Sequence, residues 1–330
     1  MLQTKDIAIV ILNWNGKSLL EKFLPSVINY SDDAVIYVAD NASTDNSVAF
    51  VSEHFPTVQL IQNTTNGGYA KGYNEALKQV EEPLLCLVNS DIEVTKNWLQ
   101  PILEEFNTNT ETAIIQPKIL DYKNKSQFEY AGAAGGFIDK YGYPYCRGRI
   151  FDTIEKDTGQ YNDNSEIFWA SGACFFIRNL VYKALEGFDE SYFAHMEEID
   201  LCWRAFNKNY TTKFVGTSTV YHVGGATLNN TNPKKTYLNF RNSLFTLFKN
   251  TDSNVLFRVG IRMVLDGVAS ARFLFQLKPA FLVAILKAHL SFYYNLPRLL
   301  KQRKQLPKRF GYYKINSIVW SYFIKKKTKF

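Results

Sequence analysis

Three clusters of acids and amides each follow directly on a short apolar run: Asn13-Trp14-Asn15-Gly16, Asp40-Asn41-Ala42-Ser43-Thr44-Asp45 and Asn89-Ser90-Asp91. Asp91, with Glu93 close behind, puts a carboxylate on a turn. There it can hold a hard divalent cation if phosphate oxygens supply further ligands. Asp40 can accept a hydrogen bond from a base or a ribose. Further along, Glu197, Glu198 and Asp200 crowd one helix start. Two of them can stabilise the positive helix end, which leaves a carboxylate for general-base work. His222 precedes Gly224-Gly225 and offers an imidazole to a metal or a diphosphate; the competing role is a loop-bridging or core histidine. Helix capping alone also uses Asn, Asp and Ser, but it explains three successive strand ends of this kind less well.

Other chemistries lack their signatures. No Gly-x-Gly-x-x-Gly follows the first apolar run, and there is no Walker lysine loop, His-Glu-x-x-His or Gly-x-Ser-x-Gly. Cys86, Cys146, Cys174 and Cys202 form no Cys-x-x-Cys pair, so buried thiols in a reducing compartment are expected. The Gly67-Gly68 pair permits close backbone approach to a ligand or marks a turn. Trp14 can stack on a base or pack beneath it. Tyr69 and Tyr73 border a nucleotide or form a helical stripe. His195 lies beside the acidic cluster, within reach of an acceptor, and His54 has less context.

The elements that position these groups follow from periodicity. Apolar runs at 7–12, 35–39, 58–61, 84–88 and 113–116 read as strands. Between them, 17–28, 69–80 and 98–106 carry helical patterns. Alternation of this kind means βαβ units and a mostly parallel sheet covered on both faces. In such sheets the carboxyl ends of the strands form the binding crevice, so all three polar clusters are expected at one cleft. Residues 121–175 are glycine-punctuated and read as irregular strands and loops with room for a flexible cover. A strand at 174–177, helices at 179–185 and 197–207, and a strand ending at 219–222 complete the body.

Charge divides the chain. Residues 1–250 hold 22 Lys and Arg against 29 Asp and Glu, whereas residues 251–330 hold 16 against 2. The basic excess of the chain, +7 overall, is therefore a C-terminal property, unlike a uniform nucleic-acid-binding surface. The stretch 255–296 mixes apolar and basic residues, and only 17 residues separate Pro279 from Pro297. A spanning helix wants about 20 mainly apolar residues. An amphipathic helical hairpin at a membrane interface fits better, with an oligomerisation surface or a helical lid as competing readings. The apolar run at 7–12 is too short for a signal-peptide core.

Taken in order and spacing, these motifs resemble the inverting family 2 nucleotide-sugar glycosyltransferases, especially rhamnosyltransferase-like enzymes of bacterial surface polysaccharide synthesis. The resemblance runs over residues 5–250. It rests on Val10-Ile11-Leu12-Asn13-Trp14-Asn15-Gly16, the cluster from Asp40 to Asp45, Asn66-Gly67-Gly68-Tyr69-Ala70-Lys71-Gly72-Tyr73-Asn74 and Leu87-Val88-Asn89-Ser90-Asp91. Ser171-Gly172-Ala173, Phe188-Asp189-Glu190, the stretch from Glu197 to Arg204, His222-Val223-Gly224-Gly225 and Arg241-Asn242-Ser243 continue it. It implies a GT-A fold: an α/β nucleotide-sugar transferase with a Rossmann-like, mostly parallel sheet. The expected division is a nucleotide-sugar-binding half at 1–120, an acceptor-binding and catalytic half at 121–250, and a basic helical tail at 251–330.

The resemblance also implies roles. Asn13, Asn15, Asp40, Asn66, Gly67 and Ser90 would contact the nucleotide sugar, with Asp40 reading the uracil or thymine ring. Asp91 would be the last residue of the Asp-x-Asp motif and hold Mg²⁺ or Mn²⁺, with His222 as a further metal contact. The first motif position is Asn89 here. Glu198 would be the catalytic base, with Glu197 the near alternative and Asp200 in the same cluster. The donor would be a nucleotide sugar such as dTDP-rhamnose or a UDP-hexose. The acceptor would be a saccharide, lipid-linked, at the cytoplasmic face of a bacterial inner membrane whose anionic surface the tail meets. No nucleic-acid partner is expected, and the oligomeric state stays open. A nucleotidyltransferase and a non-catalytic nucleotide-sugar-binding protein are the alternatives.

Overall fold

The structure is a computed structural model that describes residues 1–224 and 232–330. Its first half alternates as the periodicity predicts. β1 (Ile7–Asn13), α1 (Lys17–Tyr30), β2 (Val35–Asp40), α2 (Ser47–His54), β3 (Gln59–Gln62) and α3 (Gly68–Ala76) lead to β4 (Leu84–Asn89). A short β5 (Ile92–Val94), α4 (Gln100–Thr108) and a long β6 (Thr112–Asp121) follow. The parallel core is β3-β2-β1-β4. Side chains alternate across a strand, so β1 feeds two cores. Ile7, Ile9 and Ile11 pack with Leu20, Val51 and Ile102 of α1, α2 and α4, while Ala8 and Val10 pack with Ala70 and Tyr73 of α3. That two-sided burial is why residues 7–12 read as one unbroken apolar run.

Beyond β4 the sheet becomes mixed. β12 (Cys174–Arg178) lies antiparallel between β4 and β6, and β13 (Thr211–His222) runs parallel to β6. β11 (Asn164–Ile167) closes that edge. Residues 121–175 also carry a small antiparallel sheet of β7 (Gly136–Ile138), β8 (Pro144–Cys146), β9 (Arg149–Ile150) and β10 (Thr153–Ile154). The flexible cover expected there is instead a packed layer. A Cβ on Gly136 would overlap the Trp169 indole, and the Trp169 Nε1–H donates to the Phe137 carbonyl at 2.8 Å.

α5 (Asn179–Ala184) and α6 (Glu197–Asn207) precede β13, and three long helices follow it: α7 (Pro233–Asn250), α8 (Val255–Phe275) and α9 (Pro279–Gln305). α8 and α9 form the expected hairpin. α9 does not stop at Pro297 but continues to Gln305. Proline removes one helical hydrogen bond, and packing of the fully buried Leu299 offsets the loss. Asp189 fastens this region to the body. Its Oδ2 accepts from Lys249 of α7 at 2.6 Å and from Gln302 of α9 at 3.0 Å, with Arg298 at 3.5 Å. Residues 306–330 return to the body, where Tyr312 packs on Trp203 with ring centroids 4.4 Å apart. Among the described residues no helix is long and apolar enough to cross a membrane.

Candidate active site

Strand register levels the polar clusters. Asn13 pairs with Asp40 across β1 and β2, and Leu12 pairs with Asn89 across β1 and β4. The buried Asp40 accepts from Asn13 Nδ2 at 3.2 Å and from the Ser43 amide at 2.9 Å. Ser90 Oγ lies on the same floor, 3.7 Å from where a Cβ on Gly16 would stand. Asn13 Oδ1 is buried and without a partner.

Asp91 follows β4, and β13 delivers His222 to it. The two are 3.1 Å apart, Oδ1 to Nε2. The long β13 reaches this far because it pairs with β6 and, at its last residues, with β5: His222 opposes both Asp121 and Ile92. Glu129, which carries no local signal in the sequence, faces the other ring nitrogen, Nδ1, at 3.4 Å. Burial opposes charge on the imidazole, yet Asp91 and Glu129 together raise it to about 10. Asn89 Nδ2 stands 3.5 Å from His222 Nε2. A cavity of about 400 Å³ opens beside His222, Glu129, Tyr130 and Gly224. Gly225 lies outside the described residues.

Glu197 and Glu198 begin α6, whose first turn lies near the end of β4 through Gly172 and Ala173, the latter's carbonyl accepting from the Asn89 amide at 2.9 Å. Each has one buried carboxylate oxygen, Oε2, with no partner, which an evolved interior rarely leaves without a reason. Burial raises Glu198 to about 7, outweighing the backbone amides at the helix start that pull it down. Burial, and then the neighbouring Glu198, raise Glu197 well above the carboxylate range. Tyr69 joins the two sides of this wall: its hydroxyl donates to the Gly172 carbonyl at 2.7 Å. A Cβ on Gly172 would in turn lie 3.8 Å from that of Glu198.

The segment before α6 is held in an unusual shape. Phe193, His195 and Met196 have φ of 64°, 69° and 72°, a region that side chains other than glycine's enter at a cost. One buried amide compensates. Asn242 Nδ2 donates to the Tyr192, Ala194 and His195 carbonyls at 3.1, 3.0 and 2.7 Å. Arg241 Nη2 adds bonds to the Ser191 and Tyr192 carbonyls. The motif Arg241-Asn242-Ser243 was visible in the sequence, but its task was not.

Several expected contacts are otherwise engaged. Asp200 is fully buried and belongs to the scaffold, not to the cleft: it binds Arg204 at 2.8 Å, Lys249 at 3.0 Å and Asn250 at 2.8 Å. Burial raises its pKa, but Lys249 and Arg204 hold it below the usual range. Asn15 Oδ1 is taken by the Thr44 and Asp45 amides, and Asn66 Oδ1 by Asn41 Nδ2 and the Gly68 amide; both brace loops. The close approach at Gly67-Gly68 is to the chain itself, since a Cβ on Gly68, at φ 79°, would strike the Phe193 carbonyl. Tyr73 is core, its hydroxyl donating to the Val88 carbonyl at 3.0 Å. His54 stacks on Phe50. Burial and then Lys235 lower His195 to about 4. Trp14 is half exposed at the cleft rim. All four cysteines are free and buried.

The α/β fold, with a mostly parallel sheet that carries Asp91 and His222 at its carboxyl edge, is that of the GT-A class of nucleotide-sugar transferases. Residues 8–185 match the description glycosyl transferase family 2, and the chain belongs to that family. A similar relative is N-acetylglucosaminyl-diphospho-decaprenol L-rhamnosyltransferase of Mycobacterium tuberculosis. It is 23% identical over 236 residues, covering 66% of this chain and 76% of the relative. Among solved structures, a mannosyltransferase, PcManGT, of Pyrobaculum calidifontis in complex with GDP-Man and Mn²⁺ aligns with a TM-score of 0.55 at 11% identity, covering 88% of this chain and 87% of that one. GalNAc-T7 with UDP, GalNAc and Mn²⁺ aligns with a TM-score of 0.58 at 18% identity, covering 74% of this chain and 48% of that one.

Proposed function

We propose that the protein is a metal-dependent inverting glycosyltransferase that moves a deoxyhexose, rhamnose, from dTDP-rhamnose to a hydroxyl of a lipid-linked saccharide. It does so at the cytoplasmic face of a bacterial membrane, in surface polysaccharide synthesis. The observation that carries the reading is the contact of Asp91 with His222 just beyond β4, together with the half-buried Glu198, whose surroundings raise it to about 7. The rhamnose and lipid-linked acceptor follow the similarity to the mycobacterial enzyme.

The residues present fit a divalent cation. Asp91 Oδ1 and His222 Nε2, 3.1 Å apart, would hold the cation together, its binding displacing the proton that His222 now shares with Asp91. Among the described residues no group of three or more His, Cys, Asp or Glu forms a complete metal site, so a diphosphate would supply oxygens. Both similar solved structures contain Mn²⁺. Asp91 and His222 would hold Mg²⁺ or Mn²⁺, which would supply positive charge against a departing diphosphate. Asp40 accepts from the N–H of the pyrimidine ring. Glu198 takes the proton of the acceptor hydroxyl, which attacks the anomeric carbon opposite the diphosphate and inverts it in one displacement.

A transfer assay with dTDP-rhamnose, UDP-GlcNAc and UDP-galactose, each with a polyprenyl-diphosphate-linked GlcNAc acceptor and with Mn²⁺ or EDTA, tests the reading. Transfer of rhamnose with Mn²⁺ alone is the expected result. A UDP-sugar used in its place would move the donor to the UDP class, and transfer in EDTA would remove the metal.

A further inference from the structure

The hairpin carries one sign of exposed charge. Its single acid, Asp266, is fully buried against Arg262 at 2.8 Å, while Arg272, Lys278 and Lys287 are exposed. Around them Leu274, Phe275, Leu277, Leu286 and Leu290 lie open, Phe275 and Leu277 at 87% and 89% exposure. Such a surface suits an anionic bilayer. At its base a groove of about 440 Å³ separates the first turn of α7 from the first turns of α9. Its walls are both apolar and cationic: Ala280, Val283 and Ala284 on one side, Tyr237 on the other, with Lys234 and Lys287 at the rim. Neither lysine is in an ion pair among the described residues. Lys234 Nζ lies 5.0 Å over the ring of Phe193, which stands four residues before Glu197. The groove therefore lies between the apolar hairpin and the loop that carries the acidic cluster.

We propose that this groove binds the phosphate end of a polyprenyl-linked acceptor, Lys234 and Lys287 meeting the phosphate while the isoprenoid chain leaves along the hairpin into the bilayer. The proposal rests on the transferase reading and gives its acceptor a place. The test uses the full chain and phosphatidylcholine vesicles containing either a polyprenyl monophosphate or phosphatidylglycerol at equal charge. The parent is expected to prefer the polyprenyl phosphate about tenfold, the scale of one to two lysine–phosphate contacts. Lys234→Ala with Lys287→Ala should abolish that preference. Arg272→Ala with Lys278→Ala, on the outer hairpin, should weaken binding to both vesicles and keep it. Circular dichroism melts check that each variant folds. Equal binding of the parent to both vesicles, or a preference untouched by the groove variant, overturns the proposal. Full competition by millimolar inorganic phosphate also overturns it, because the site would then take free phosphate. Nucleotide-sugar titrations on the same proteins should be unchanged. Failure of the parent to bind any donor strikes the transferase reading instead, and leaves the vesicle comparison to be judged by itself.

Discussion

Glu198, the proposed base, illustrates how position tunes an ordinary carboxylate toward neutral pH. The helix start that carries it favours the anion, yet burial wins and lifts the group to about 7, where a base is strong and about half of it is ionised at neutral pH. Transfer should rise with pH through about 7 as this proton leaves. Glu198→Gln should keep donor affinity and lose transfer by roughly 100- to 10,000-fold, together with that pH dependence. Single-turnover rates at saturating donor and acceptor measure both, and a rate within twofold of the parent would exclude Glu198. At the other wall, Asp91→Asn removes the carboxylate that meets His222 at 3.1 Å. Nucleoside diphosphate titrated with and without Mn²⁺ should show the metal-dependent gain in affinity falling at least tenfold, while the metal-free affinity stays put.

At the scale of elements, α7 sets the loop that presents the base. Asn242→Ala would strand the Ala194 and His195 carbonyls and leave the Tyr192 carbonyl to Arg241 alone. Leaving buried acceptors unpaired costs about 1–3 kcal/mol, and release of the positive-φ residues Phe193, His195 and Met196 should move Glu198. The expected result is a fall in kcat with little change in donor KM, together with a lower Tm; an altered KM alone would place the effect at the nucleotide instead. This is also where sequence and structure part. Strands with uninterrupted apolar runs and their polar ends were legible, because burial on two faces and level register leave local marks, as in residues 7–12 and Asp40. The start of α6 was legible from its acids. Glu129 was not, since its tie to His222 crosses from the β6 loop to the end of β13. Asp200 misled because an acid next to a catalytic one looks the same in sequence whether it faces a cleft or Lys249 and Arg204. The small sheet at 136–154 hid behind its glycines, which mark close packing against Trp169 as readily as they mark a loose loop.

Over the whole molecule, the carboxylate of Asp189 fixes how the C-terminal helices sit on the body. Burial raises its pKa, but Lys249, Ser191 and Arg298 outweigh that and hold it well below the usual range. A carboxylate depressed in the folded state stabilises above its unfolded pKa, about 3.9, and that contribution is lost as pH falls through the lower folded value. Asp189→Asn should therefore melt earlier than the parent at pH 7, and the gap should narrow steadily as pH falls below about 3.9; a gap independent of pH would show that charge is not what binds the helices. One oxygen serves α7 and α9 together, and the other orders Ser191 at the mouth of the catalytic loop. Genetics would see this as a trap. On the proposed function, a selection for loss of sugar transfer would return Asp189 beside Glu198 and Asp91, with the same phenotype. Only suppressors would tell them apart: second-site changes that tighten α7 against α9 could restore Asp189 variants, and none of that kind could restore a missing base.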